Sequence, residues 1–228
     1  MHPIFKYLGF VYCLSLSHIA IAQDSTMRYP ANQIKFNPVK LIDLVNTGLE
    51  FGYERRIANR FATHVSAAVL VNYLNINSYH SYSGYRFIAE QKYIITNPYE
   101  DFWIYPSISF VYNNMNFSTV DAFTDINQYN ATTPNYYNGY LDSFMVTKHT
   151  YSVNACLGIV LPLYRNRLLL DMSGGIGIKY RDVTHSQRIN PNDKMALPRH
   201  PNVYYISNKE GQYYTPNMLL TFRIAYSF

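Results

Sequence analysis

The chain has little to build a covalent framework from. It carries two cysteines in 228 residues, Cys13 near the start and Cys156. If the first stretch is removed, Cys156 is left alone and no internal disulfide can form. Charge is also scarce. Asp, Glu, Lys and Arg make up 14% of the chain, against roughly 25% in soluble domains. The formal net charge is +5 with the bases dispersed, so there is no basic stripe and nucleic acid is excluded as a partner. After residue 22 no apolar run is long enough for a transmembrane helix. The sequence has no His-Glu-x-x-His and its histidines are scattered, so no metal site and no cofactor are expected. The glycine-rich SGGIGIK (Ser173–Lys179) lies inside an alternating stretch and reads as a close-packed wall, not a phosphate loop.

The first 22 residues read as a signal peptide. They hold Lys6, an apolar stretch from Leu8 to Leu16, and the small-x-small triplet Ala20-Ile21-Ala22. Ser15, Ser17 and His18 interrupt the run, which is short for a membrane anchor. Phe10-Val11-Tyr12 ahead of Cys13 lacks the small residues that lipid modification needs. The mature chain is expected to begin at Gln23, with 23–32 as a periplasmic lead.

What the sequence does have is aromatic side chains and alternation. There are 24 Tyr and 13 Phe, and eight segments alternate with a period of two. They are Ile34–Leu41 (interrupted by Pro38), Thr47–Ile57, Phe61–Leu74, Tyr85–Ile95, Phe102–Tyr112, Met145–Leu163, Arg167–Tyr180 and Asn217–Phe228. In the last, Met218, Leu220, Phe222, Ile224, Tyr226 and Phe228 form an apolar row against Leu219, Thr221, Arg223, Ala225 and Ser227. The links alternate between short (58–60, 96–101, 164–166) and long (75–84, 113–144, 181–212), and the strand count is even.

A soluble barrel would point the apolar rows inward. Here the polar rows are rich in Gly, Ser, Ala and Thr, which suits a narrow filled lumen. Tyr73, Tyr85, Tyr93, Tyr112, Tyr180 and Tyr226 gather near strand ends, where membrane barrels place interfacial girdles. The fold class expected is therefore all-β: an eight-stranded antiparallel up-and-down transmembrane β-barrel over residues 33–228. It would lie in the outer membrane in contact with its lipid, with both termini periplasmic and long extracellular loops at 113–144 and 181–212. Tyr226 and Phe228, the third-last and last positions, resemble the signal read by the barrel-assembly machinery during insertion.

Three stretches also carry a family resemblance. GLEFGYERRIANRFATHVSA (Gly48–Ala67), YRFIAEQKYIITN (Tyr85–Asn97) and DMSGGIGIKYR (Asp171–Arg181) resemble strands of a family of small outer-membrane barrels widespread in Bacteroidetes-type bacteria. Lys92 stands where that pattern would have Arg, and the two long loops have no counterpart in it. The resemblance implies fold and location. The family carries no established activity.

An eight-stranded interior is just wide enough for side chains to fill it. The candidate luminal network is Glu50, Glu54, Arg86, Glu90, Lys92, Asp171, Lys179 and Arg223, with Lys35 and Lys148 beside it. Buried charges need partners, so these residues are expected to form a paired plug and leave no open pore. No catalytic residues are assigned. A lipid acyl hydrolase or transferase would need a His and a Ser at the outer rim, and the candidates are His149 with Ser143 or Ser152. The long loops, dense in Asn and Tyr, offer flat contact area with adaptable hydrogen bonds. The expected role is thus a structural or binding scaffold for a protein or polysaccharide partner. The alternative is an accessory subunit of a larger outer-membrane complex.

Overall fold

The computed structural model describes residues 29–41, 47–71, 80–96, 102–124, 139–164, 167–195 and 208–228. The signal peptide, Tyr73 and parts of the three long links lie outside them. Among the described residues there are ten strands: β1 (Asn32–Phe36), β2 (Gly48–Ala58), β3 (Phe61–Val71), β4 (His80–Tyr93), β5 (Ile95–Thr96), β6 (Trp103–Thr124), β7 (Gly139–Tyr164), β8 (Leu168–Ser186), β9 (Lys194–Met195) and β10 (Gly211–Ser227). Two of these, β5 and β9, are two-residue additions that pair with β6. The other eight close a ring in which each strand is antiparallel to both neighbours. β4 pairs with β6 and β1 pairs with β10, completing the circuit. The fold is an eight-stranded antiparallel up-and-down barrel.

Register fixes its dimensions. Direct partners run from Thr215 to Lys179, Ser152, Val111, Ile88, Ser66, Gly52, Lys35 and back to β10 at Ala225. One circuit therefore displaces the chain by 225 − 215, a shear of ten residues. With a rise of about 3.3 Å per residue and strands about 4.8 Å apart, that shear tilts the strands by about 40°.

The alternation sorts by face as expected. Along β10, Leu219, Thr221, Arg223, Ala225 and Ser227 are buried inside, while Met218, Leu220, Ile224, Tyr226 and Phe228 stand exposed outside. Ile176 is 74% exposed and Leu220 76%, so the outer wall is an apolar belt. At its upper edge Tyr112, Tyr151, Tyr180 and Tyr214 are direct cross-strand partners. Their ring centroids are 4.9, 6.2 and 5.2 Å apart, and Tyr85 continues the row 5.9 Å from Tyr112. At the lower edge lie Tyr53, Phe61, Tyr93, Tyr164, Tyr226 and Phe228. Tyr214 is twelve residues from Tyr226 on β10. At about 3.3 Å per residue and about 40° of tilt this spans roughly 30 Å, the thickness of a hydrocarbon core.

The boundaries need four corrections. The first strand, expected over Ile34–Leu41, is Asn32–Phe36, and Pro38–Leu41 is a 3-10 turn. Proline has no N–H for the ladder and a fixed φ, so the strand ends ahead of it. The lead expected over 23–32 gives Asn32 to the sheet and buries Tyr29 inside the barrel. Third, much of the loop expected at 113–144 is strand, because β6 runs to Thr124 and β7 starts at Gly139. Fourth, β8 runs to Ser186 and β4 starts at His80, which shortens the other two long links. In both extensions period-two alternation continues among polar residues, with Met115, Phe117, Phe123, Phe144 and Val146 pointing into one apolar cluster. Asn- and Thr-rich composition disguised it.

The belt yields a direct test. Leu220 lies midway between the two aromatic edges, so Leu220→Arg should destabilise the protein folded in lipid vesicles by about 2–4 kcal/mol. Equilibrium unfolding from vesicles measures it, and an unchanged midpoint would mean that this wall does not face hydrocarbon.

Candidate functional site

The most organised group of functional side chains is a charge layer across the lower lumen. Inward positions of five strands supply it: Lys35 on β1, Glu54 on β2, Glu90 and Lys92 on β4, Asp171 on β8 and Arg223 on β10. Lys35 reaches Glu54 at 2.8 Å and also pairs with Asp171. Lys92 bridges the same two acids at 2.9 and 2.6 Å. Arg223 holds Glu90 at 2.8 Å and stands 3.7 Å from Asp171. Three cations thus face three carboxylates, all at most 3% exposed.

Neutral groups complete the layer. The Tyr105 hydroxyl donates to Asp171, and the Lys92 ammonium sits 4.0 Å from the centre of the Tyr105 ring. Ser107 donates to Glu90 at 2.7 Å and Gln33 to Glu54 at 3.2 Å. From the lead, the Tyr29 hydroxyl donates to Glu54 while its ring meets Trp103 edge-on at 5.4 Å. Beneath the charges, Tyr29, Ala62, Ile94, Trp103, Val160, Leu169 and Ala225 form an apolar floor.

Two glycines make the layer possible. A Cβ at Gly158 would lie 2.3 Å from Tyr105 Cζ, and one at Gly52 would lie 2.4 Å from His64 Cε1. Removing a side chain on one strand admits a ring from its neighbour. His64 is fully buried beside this layer, with no hydrogen-bond partner for either ring nitrogen among the described residues.

Of the eight luminal residues read from the sequence, five meet in this layer: Glu54, Glu90, Lys92, Asp171 and Arg223. Three do not. Glu50 accepts from Asn37 and Ser66 at 3.4 Å each, while Arg86 and Lys179 point inward at higher levels. Sequence reasoning missed Tyr29, Tyr105, Gln33 and His64. The available signal for the two rings was glycine at inward positions, since Gly158 pairs with Tyr105 and Gly52 lies diagonal to His64. The SGGIGIK wall is close-packed as expected, since a Cβ at Gly175 would sit 2.4 Å from Cys156 Sγ.

The outer-rim histidine has different company from that expected. His149 Nδ1 lies 3.0 Å from the Tyr112 hydroxyl and 3.4 Å from Asn114 Nδ2, on the outer face above the tyrosine row. Ser152 is on the opposite, luminal face, and Ser143 is six residues along the strand, roughly 20 Å away at the usual rise. Neither serine is brought to it. Farther out, the His185 ring bonds the Asn208 carbonyl at 2.8 Å through Nε2, and burial pushes its pKa below the usual histidine value. The imidazole therefore stays neutral and donates that proton.

Among solved structures, the chain is similar to a major outer membrane protein from Thermus thermophilus. The identity is 12% and the TM-score 0.44, with 87% of this chain and 100% of that one covered. No family model matches the chain and no curated protein matches it either, so the comparisons lend no support to the Bacteroidetes-type resemblance.

Asp171 is the hub, accepting from Lys35, Lys92 and Tyr105. Asp171→Asn leaves buried cations without their counter-charge and should cost about 3–5 kcal/mol. Denaturant titration of the refolded barrel checks this, and a loss below about 1 kcal/mol would show that the layer is not a stabilising plug.

Proposed function

We propose that this chain is a small outer-membrane barrel, closed to ions, that serves as a rigid scaffold presenting a binding surface outside the cell. The observation that carries this reading is the height of β6 and β7. Tyr112 and Tyr151 mark the membrane edge, yet β6 continues twelve residues beyond it and β7 begins twelve residues before it. At about 40° of tilt this hairpin stands roughly 30 Å above the bilayer.

Its inner face is packed. Phe123 meets Phe144 edge-on at 5.1 Å, Phe144 meets His185 at 4.7 Å, and Arg188 stacks 4.1 Å from the Phe123 ring. Its outer face carries exposed Val120 and Leu141, while on the inner side the Ile189 amide donates to the buried Asp142 carboxylate at 2.9 Å. Apolar side chains above the membrane edge, on a braced hairpin, favour a protein or polysaccharide partner over a mobile solvated loop. A soluble extracellular partner and a larger outer-membrane complex both fit this surface. Acyl chemistry has less support, since neither candidate serine approaches His149. Insertion through the assembly machinery, with Tyr226 and Phe228 as its signal, belongs to the same reading.

Two measurements test it. Protein in planar bilayers should show no steady ion-selective conductance, because the charge layer and apolar floor leave no open path. Channels whose selectivity changed on Glu90→Gln would overturn the closed lumen. Cross-linking in native membranes should capture a partner that is lost when β6 and β7 are joined by a short Gly-Ser turn between Ser118 and Met145, with heat-modifiable migration on gels retained. Capture of the same partner by both forms would remove the hairpin from the binding surface.

A further inference from the structure

The charges of the lumen are not evenly distributed. In the lower layer three cations meet three carboxylates. Above it Arg86, Lys148, Lys179 and Arg181 all occupy inward positions, and the nearby acid is Glu50, separated from Arg86 by Ala68 alone. On the far wall, Lys148 lies on β7 and Lys179 and Arg181 on β8. Arg181 pairs with Thr150 and Lys179 with Ser152, so Arg181 stands between the other two, a same-face neighbour of Lys179 and a diagonal neighbour of Lys148, each about 7 Å away.

Their mutual electrostatics are repulsive. Lys148 feels Arg181 and Lys179, while Lys179 feels Arg181 and Arg86. Among the described residues no carboxylate forms an ion pair with Lys148, Lys179 or Arg181. Arg181 instead lies 5.9 Å from the Tyr213 ring, and its Nε is buried without a hydrogen-bond partner. The Thr215 hydroxyl, on the partner position of Lys179, is likewise buried and unpartnered.

There is also room here. Lys148, Lys179 and Arg181 remain partly exposed to the lumen, whereas Asp171 and Lys92 below are fully buried. Farther out, Phe117, Phe144, Val146 and Val183 form an apolar cluster that narrows the mouth without covering these partly exposed cations.

Like charges in such a space require a counter-charge. We propose that the upper lumen is a binding site for a small, multiply charged oxyanion of the phosphate or sulfate class. Lys148 and Lys179 supply point charges, and Arg181 a fork of donors suited to two oxygens at once. Thr150 and Thr215 add hydroxyl donors, and Arg86 closes the opposite side. The charge layer and its floor block the lower end, so the anion comes from above, along the side of the apolar cluster on which Lys148, Lys179 and Arg181 stay partly exposed. The site is level with the tyrosine row and hence with lipid headgroups, so the phosphate can come from free anion or from a lipid.

The test uses the full-length folded protein in a phosphate-free nonionic detergent. Inorganic phosphate, titrated calorimetrically against a chloride buffer of equal ionic strength, should give saturable binding. Lys148→Gln and Lys179→Gln should each weaken it roughly tenfold or more, while Lys209→Gln, an exposed lysine outside the lumen, should not. A second arm adds phosphatidic acid to the micelles. Competition with inorganic phosphate identifies a lipid headgroup as a ligand, and binding without competition identifies the free anion. If neither lysine variant yields a heat-modifiable barrel, the wild-type thermal midpoint decides, and it should rise with phosphate relative to chloride. No saturable binding of either probe, equal affinity in both lysine variants, or an unmoved midpoint would overturn the site.

Discussion

A wall that faces hydrocarbon cannot leave a backbone amide unpaired, because no water is present to take its place. Everything else in this molecule follows from that requirement. The pairing of β1 with β10, from Gln33 opposite Ser227 to Phe36 opposite Ile224, removes the last open edge. The register at which it does so sets the shear at ten, the shear sets the tilt, and eight strands at that tilt enclose a lumen only side chains wide. Short β1 could not close the ring by itself. Arg56 N–H bonding to the Ala31 carbonyl and Phe228 N–H bonding to the Asn32 carbonyl extend the ladder at its lower end.

A narrow lumen dictates its own chemistry. Inward side chains from opposite walls must touch, so a charge placed there is desolvated and has to find its partner across the barrel. Asp171 and Lys92 come from strands on opposite sides of the ring and still meet at 2.6 Å. Each acid in the layer bonds more than one donor, so no single contact carries it and removal of the central carboxylate strands several cations. The two glycines that admit Tyr105 and His64 show the same pressure, with volume removed from one strand to fit a ring from the next.

The fold was legible because alternation and aromatic placement are local signals that lipid imposes directly on the chain. The row of Met218, Leu220, Ile224, Tyr226 and Phe228 reads as outward once periodicity is joined to the composition of the polar rows and the placement of the tyrosines, and so it stands. The luminal residues were legible as a set, since inward polar positions are the complement of the apolar rows. Which of them meet was not, because contact across a barrel depends on shear, and shear is a property of the closed ring. Thus Glu50, Arg86 and Lys179 belong to the same inward rows as the layer yet sit above it. Tyr29 was missed for a different reason: a residue ahead of the first strand has no alternating partner to declare its side. The extension of β6 and β7 was hidden by composition, as Asn113–Thr124 is polar enough to resemble a loop while keeping the period of a strand.

The molecule is consequently polarised along its axis. Its lower end is electrically balanced, apolar beneath and sealed by a residue from the lead, which suits a floor with no traffic through it. Its upper end has unbalanced positive charge inside, a row of tyrosines at the membrane edge and a hairpin braced from within by Phe117, Phe123 and Phe144. Stability of the barrel asks for none of these outer features. A short turn would close β6 onto β7 at the level of Tyr112, and an uncharged lumen at that height would pack more favourably than clustered cations. Among the described residues, structure retained beyond what the wall needs gathers at the end of the barrel where β6 meets β7, the end opposite Asn32 and Ser227.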